Sequence, residues 1–158
     1  MVGTLLLAAG LAASPTPAQS VVPPAINALV DRALRMGKER YGVQLCVCLD
    51  DMPKVDRIVE DLRIRVKGSA PSGDTVEDLT LVWGAYIGEY VRREHREARW
   101  QDTPKRAAGR YWVQLHQVDE PFDPFSLIAR VLSTDQQRAP LSQSSAWWFW
   151  TATWSNPA

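Results

Sequence analysis

A chain of 158 residues with eighteen basic and eighteen acidic side chains, 46% apolar and 23% charged, has the composition of an ordinary globular domain. Its formal net charge of zero weighs against a dedicated nucleic-acid binder or a polybasic membrane-surface protein, and its length allows about one domain around one core. Seven tryptophans are the compositional oddity, and four of them lie between Trp147 and Trp154.

Val2 to Ala13 is an uncharged apolar run, followed by the small and proline-rich Ser14 to Ser20. The run is too short to span a bilayer, which needs about 20 residues, and it reads as a secretory signal with an A-x-S site permitting cleavage before Val21. The expected organisation is a signal peptide over 1–20, a single α+β domain over 21–134 and a polar, Trp-rich tail over 135–158, in a periplasmic or secreted protein. No basic residue opens the run. The rival reading is therefore an amino-terminal tail on a cytoplasmic protein whose start is misassigned.

Pro24 to Arg40 places Ile26, Leu29, Val30, Ala33 and Leu34 on one face of a helix, and Gly42 stands where a helix terminator is needed. Val43, Leu45, Val47 and Leu49 alternate with Gln44, Cys46 and Cys48, a period of two that predicts a short extended segment. Asp50 or Asp51 can cap a second helix, with Pro53 in its first turn and a buried stripe of Met52, Val55, Ile58, Val59, Leu62 and Val66. A third helix starts near Thr75, with Asp78 completing an approximate capping box and Leu79, Val82, Trp83, Tyr86, Ile87 and Tyr90 on its core face. Gly84 and Gly88 lie within that helix. Each costs roughly 1 kcal/mol against alanine, so the pair predicts a second backbone packed closely on that side.

Arg99-Trp100-Gln101 and Arg110 to Val118 predict a β-hairpin with a long loop, Tyr111, Val113 and Leu115 facing one way and Trp112, Gln114 and His116 the other. Asp123 then caps Pro124, with Phe125, Ile128, Val131 and Leu132 as the core face of a fourth helix. Helices first and a small sheet late give an α+β fold class: about four helices packed on a small antiparallel sheet built around a late hairpin. In the tail, Trp147, Trp148, Trp150 and Trp154 fit helical and strand spacing equally.

Gly42-Val43-Gln44-Leu45, Met52-Pro53-Lys54-Val55-Asp56, Gly84-Ala85-Tyr86-Ile87-Gly88-Glu89-Tyr90-Val91-Arg92-Arg93, Trp100 and Pro124-Phe125 together resemble a family of small uncharacterised bacterial domains marked by a Gly-Ala-Tyr-x-Gly-Glu helix. The resemblance covers about Pro24 to Ser133. It implies a compact helical domain with a small sheet, and it brings no activity, substrate or cofactor with it. Cys46 and Cys48 stand where that family usually shows polar residues.

Several residue groups carry candidate chemistry. Cys46 and Cys48 would project from one face of a strand, near the upper limit of Cα separation for a bridge, and form a possible redox pair. His95 and His116 do not give zinc-finger spacing with them, so no metal and no cofactor are expected. Glu89 can pair with Arg92 or Arg93, and it lacks the second carboxylate that general acid–base work needs. Arg92, Arg93, Arg96, Arg99, Lys105, Arg106 and Arg110 cluster around one helix end and the hairpin loop. With Trp100, Tyr111 and Trp112 beside them, they point to an anionic ligand or an acidic partner protein and away from nucleic acid. The chain contains no GxGxxG, Walker loop, HExxH or GxSxG.

The functional expectation is a non-catalytic binding or protein-interaction domain of the bacterial envelope or exterior, with Glu89, Arg96, Arg99, Trp100, Tyr111 and Trp112 as binding residues. The tail tryptophans read first as the aromatic side of a terminal helix docked on the core, and as the alternative they would add contact to a membrane interface or a glycan. The alternative is a small envelope hydrolase using Glu89 with His95, or a thiol-redox enzyme using Cys46 and Cys48.

Overall fold

A computed structural model describes residues 22–68, 75–102, 111–115, 121–133 and 141. In chain order these form helix α1 (Pro24–Tyr41), a 3₁₀ turn (Leu49–Asp51), helix α2 (Met52–Lys67), helix α3 (Val76–Glu94), strands β1 (Arg99–Asp102) and β2 (Tyr111–Gln114), and helix α4 (Pro124–Ser133). The fold is α+β, with four helices and a late antiparallel hairpin among the described residues, as the order of sequence patterns predicts.

The helix ends follow local chemistry. Pro24 opens α1, and Gly42 closes it at φ 63°, where the Val43 amide reaches back to the Gly37 carbonyl at 3.0 Å in a Schellman arrangement. The Thr75 hydroxyl accepts from the Asp78 amide at 3.1 Å and caps α3. The Asp78 carboxylate turns away from the cap and takes both terminal nitrogens of Arg32, tying α1 to α3. Asp123 Oδ1 accepts from the amides of Phe125 and Ser126 at 3.1 and 3.0 Å, and that cap fixes the start of α4.

Helix α3 is the centre of the molecule. It contacts α1, α4 and β2, and every residue from Val82 to Val91 is buried. The sequence pattern predicts one apolar stripe; the structure encloses the helix on all sides, which its mostly apolar run from Leu79 to Ile87 permits. Gly84 lets α4 approach so closely that a Cβ there would lie 3.0 Å from the Phe125 Cα. At Gly88 the close neighbour is the Trp100 ring, where a second backbone is the expectation.

β1 and β2 pair Arg99 with Gln114, Trp100 with Val113, Gln101 with Trp112 and Asp102 with Tyr111. Val113 also forms a two-way bridge to Phe122, both N–H···O distances being 2.9 Å. Trp100 and Val113 therefore face the helices, while Arg99, Gln101, Trp112 and Gln114 share the outer face. The expected parity of β2 holds, although the described strand ends at Gln114.

The predicted extended segment over 43–49 is a loop. Its alternation holds over Gln44 to Val47, with Leu45 and Val47 buried and Gln44 and Cys46 exposed, but fails at Leu49, which is exposed, and no strand lies beside the segment among the described residues. Instead Val47 adopts φ 57° and turns the chain. Period two reports alternate burial, which an anchored loop achieves as well as a strand.

Candidate functional site

Two polar centres are built on α3, at Glu89 and at Tyr86. Glu89 is 2% exposed in the helix interior. Arg92, one turn on, donates from Nε and Nη2 to its two oxygens at 2.8 Å each, and Arg93 adds Nε at 2.9 Å. From β1 the Trp100 indole donates to Oε2 at 3.1 Å. Burial alone would raise the Glu89 pKa; hydrogen bonds from Arg92, Arg93 and Trp100 outweigh it and hold the carboxyl below its usual range. The group is an ionised knot between α3 and the hairpin at neutral pH. Four donors occupy the lone pairs a general base would need.

The second centre lies one turn earlier on α3. Asp51 ends the 3₁₀ turn in the N-cap position of α2, yet its side chain makes no cap bond. Fully buried, it accepts from the Cys46 amide at 2.5 Å, the Tyr86 hydroxyl at 2.7 Å and Lys54 Nζ at 3.1 Å. Burial is again opposed and exceeded by these donors, so Asp51 also titrates below its usual range. The Tyr86 oxygen accepts in turn from the Val47 amide at 3.2 Å, and burial together with Asp51 drives its phenol pKa upward. Arg93 Nη1 donates to the Cys46 carbonyl at 3.3 Å and so joins the two centres.

These contacts shape the Cys46–Val47–Cys48 loop. A β-branched residue in the left-handed region costs of order 1–3 kcal/mol and persists only where its surroundings impose it. Here the buried Val47 side chain and the anchored amides impose it. The turn brings the cysteine Cα atoms to 5.4 Å, and the two sulfurs are bridged. Extended backbone would leave the pair near the upper limit of Cα separation for a bridge; the bend at Val47 brings that separation into the usual range. A three-residue loop closed this way removes chain entropy worth only roughly 1.6 kcal/mol, against about 3 for a fifteen-residue loop. Cys46, Cys48 and Asp51 each have a donor atom within 4.8 Å of the others. Bridged sulfurs lack the thiolate form that binds metal, so this set becomes a ligand group only on reduction.

The structure divides the remaining sequence candidates. Trp100 is 7% exposed and works from beneath the hairpin with Glu89. Tyr111 and Trp112 are half-buried on opposite faces of β2. Arg96 and Arg99 are exposed. His95 is half-buried, and burial pushes its pKa down against the opposing pull of Glu94. His116, Lys105, Arg106, Arg110 and the tail tryptophans Trp147, Trp148, Trp150 and Trp154 lie outside the described residues, as does the expected signal segment.

Sequence reasoning passed over Asp51 as one of two interchangeable caps and Tyr86 as plain core. The available signal was the phenol itself, since a buried tyrosine needs a partner for its O–H.

Comparison with protein-family models, curated proteins and solved structures finds no match to this chain.

Proposed function

We propose that this chain is an interaction domain of the bacterial envelope or exterior that captures, without catalysis at that surface, an acidic segment of a partner protein on the outer face of its hairpin. One observation carries this reading: Arg99 and Trp112 share the exposed face of the β1–β2 sheet, and Arg96 precedes them in the turn leaving α3. Arginine and tryptophan are the side chains most often responsible for binding energy at interfaces. Glu89 supports the reading indirectly. By satisfying Arg92 and Arg93 it gives the hairpin a rigid base through Trp100, and it is itself closed to substrate.

Replacing Arg96 and Arg99 together by alanine is expected to abolish partner capture from native-host extract while leaving the circular dichroism spectrum and melting temperature unchanged. Capture by the wild-type chain should also weaken steeply with salt, since the pairs formed are rim-exposed. Undiminished capture by the double variant would remove this face as the binding surface. The address is tested separately by intact mass of the native protein. A mature chain beginning near Val21 in the exported fraction is the expected result, and an uncleaved chain in the cytosol refutes export.

A further inference from the structure

We propose that Cys46 and Cys48 form a thiol–disulfide exchange centre that takes an electron pair from peptide or small-molecule thiols, with Cys46 the sulfur attacked and Cys48 the sulfur released. This inference is independent of the arginine surface. A link spanning a single intervening residue constrains the unfolded chain little, so chain entropy gives a weak reason for its presence.

The loop is held by bonds that do not involve sulfur. The Cys46 amide donates to Asp51, the Val47 amide donates to the Tyr86 oxygen, and the Cys46 carbonyl accepts from Arg93. The Val47 side chain, 4% exposed, is seated in the core. Opening the disulfide leaves all four restraints in place. The two thiols then stay side by side, and each mixed disulfide meets a resolving thiol at high effective concentration.

The two sulfurs differ in access. Cys46 is exposed and Cys48 half-buried, so an incoming thiolate meets Cys46 first. The Asp51 carboxylate lies near both, but Lys54 and the Tyr86 and Cys46 donors cover it. The departing Cys48 thiolate therefore does not face a bare negative charge.

The reaction balances with a dithiol as the only co-reactant. Its thiolate attacks Cys46 Sγ, the Cys46–Cys48 bond breaks, and Cys48 leaves as a thiolate that takes up a proton. The second thiolate of the dithiol then attacks its own partner sulfur, forming the substrate disulfide and releasing Cys46, which is protonated in turn. Two electrons and two protons pass from substrate to protein. Two monothiols such as glutathione give the same balance.

The test uses the full chain in glutathione buffers stepped from oxidising to reducing, with alkylation and mass readout, and circular dichroism on the same samples. The bridge should open and close reversibly, both thiols appearing together and the fold unchanged. Oxidised glutathione should then react with Cys48→Ser on the order of tenfold faster than with Cys46→Ser. Peptide mapping of wild-type protein quenched during reduction should place the glutathione adduct on Cys46, a readout that does not depend on either variant folding. A bridge that resists reduction until the chain unfolds, equal reactivity of the two variants, or an adduct on Cys48 overturns the assignment.

Discussion

Gly88→Ala is expected to destabilise the protein by about 2–4 kcal/mol, although alanine is the better helix former by about 1 kcal/mol. The new methyl would sit 2.2 Å from Trp100 Cη2, 2.6 Å from Cζ2 and 2.9 Å from Pro124 Cγ. A flexible side chain could move aside at little cost. The Trp100 indole cannot, because its ring is packed on Phe125 at 6.2 Å between centroids and its N–H is committed to Glu89. Any swing that clears the methyl leaves a buried acceptor short of a donor. Gly84→Ala should behave alike, since its methyl would meet Phe125 Cδ1 at 2.6 Å and the backbone Cα at 3.0 Å, which requires α4 itself to shift. Gly68→Ala provides the contrast. Among the described residues only the carbonyls of its own helix approach that position, so the same change should be neutral or stabilising by up to about 1 kcal/mol. Urea denaturation of the three variants checks the set, and a Gly88→Ala protein as stable as wild type would show that the indole is not fixed.

Glu89→Gln is the second large effect, with an expected loss of about 2–3 kcal/mol in urea unfolding. Removing one member of a buried ion pair typically costs 3–5 kcal/mol, and this site falls lower because the Arg92 and Arg93 side chains, 22% and 47% exposed, can turn towards water. The wild-type carboxyl also predicts a pH dependence. Its folded pKa lies below its unfolded one, so its contribution is fully present above the ordinary carboxylate range and fades as pH falls through that range towards the folded value. Asp51 has the same sign and adds to the slope. The glutamine variant, lacking one such group, should lose less stability than wild type between neutral and acid pH. Parallel stability curves for the two proteins would show that Glu89 is not the titrating group.

Much of the fold was legible before the structure. The apolar period of α1, α2 and α4, Pro24 and Gly42 at the two ends of α1, Thr75 at α3 and Asp123 at α4 act within a turn or two of themselves. The parity of β2 follows the same logic, because which face each residue takes depends only on its neighbours along the strand. Glu89 with Arg92 and Arg93 was readable too, being three and four residues apart on one helix.

Tertiary structure decided everything that joins distant residues. Gly84 and Gly88 announced a close approach, and only packing assigned the Phe125 backbone to one and the Trp100 ring to the other. Period two over residues 43–49 predicted an extended segment; it is a loop because Tyr86 and Asp51 take the Val47 and Cys46 amides that a neighbouring strand would otherwise bond. Asp51 shows the reason most plainly. By sequence it is a helix cap, a local role, but the three donors it serves instead are a phenol thirty-five residues away, a loop amide and a lysine. A buried carboxylate goes to whichever donors satisfy it once water is excluded, and which donors those are is fixed only when α3 comes to lie beneath the loop.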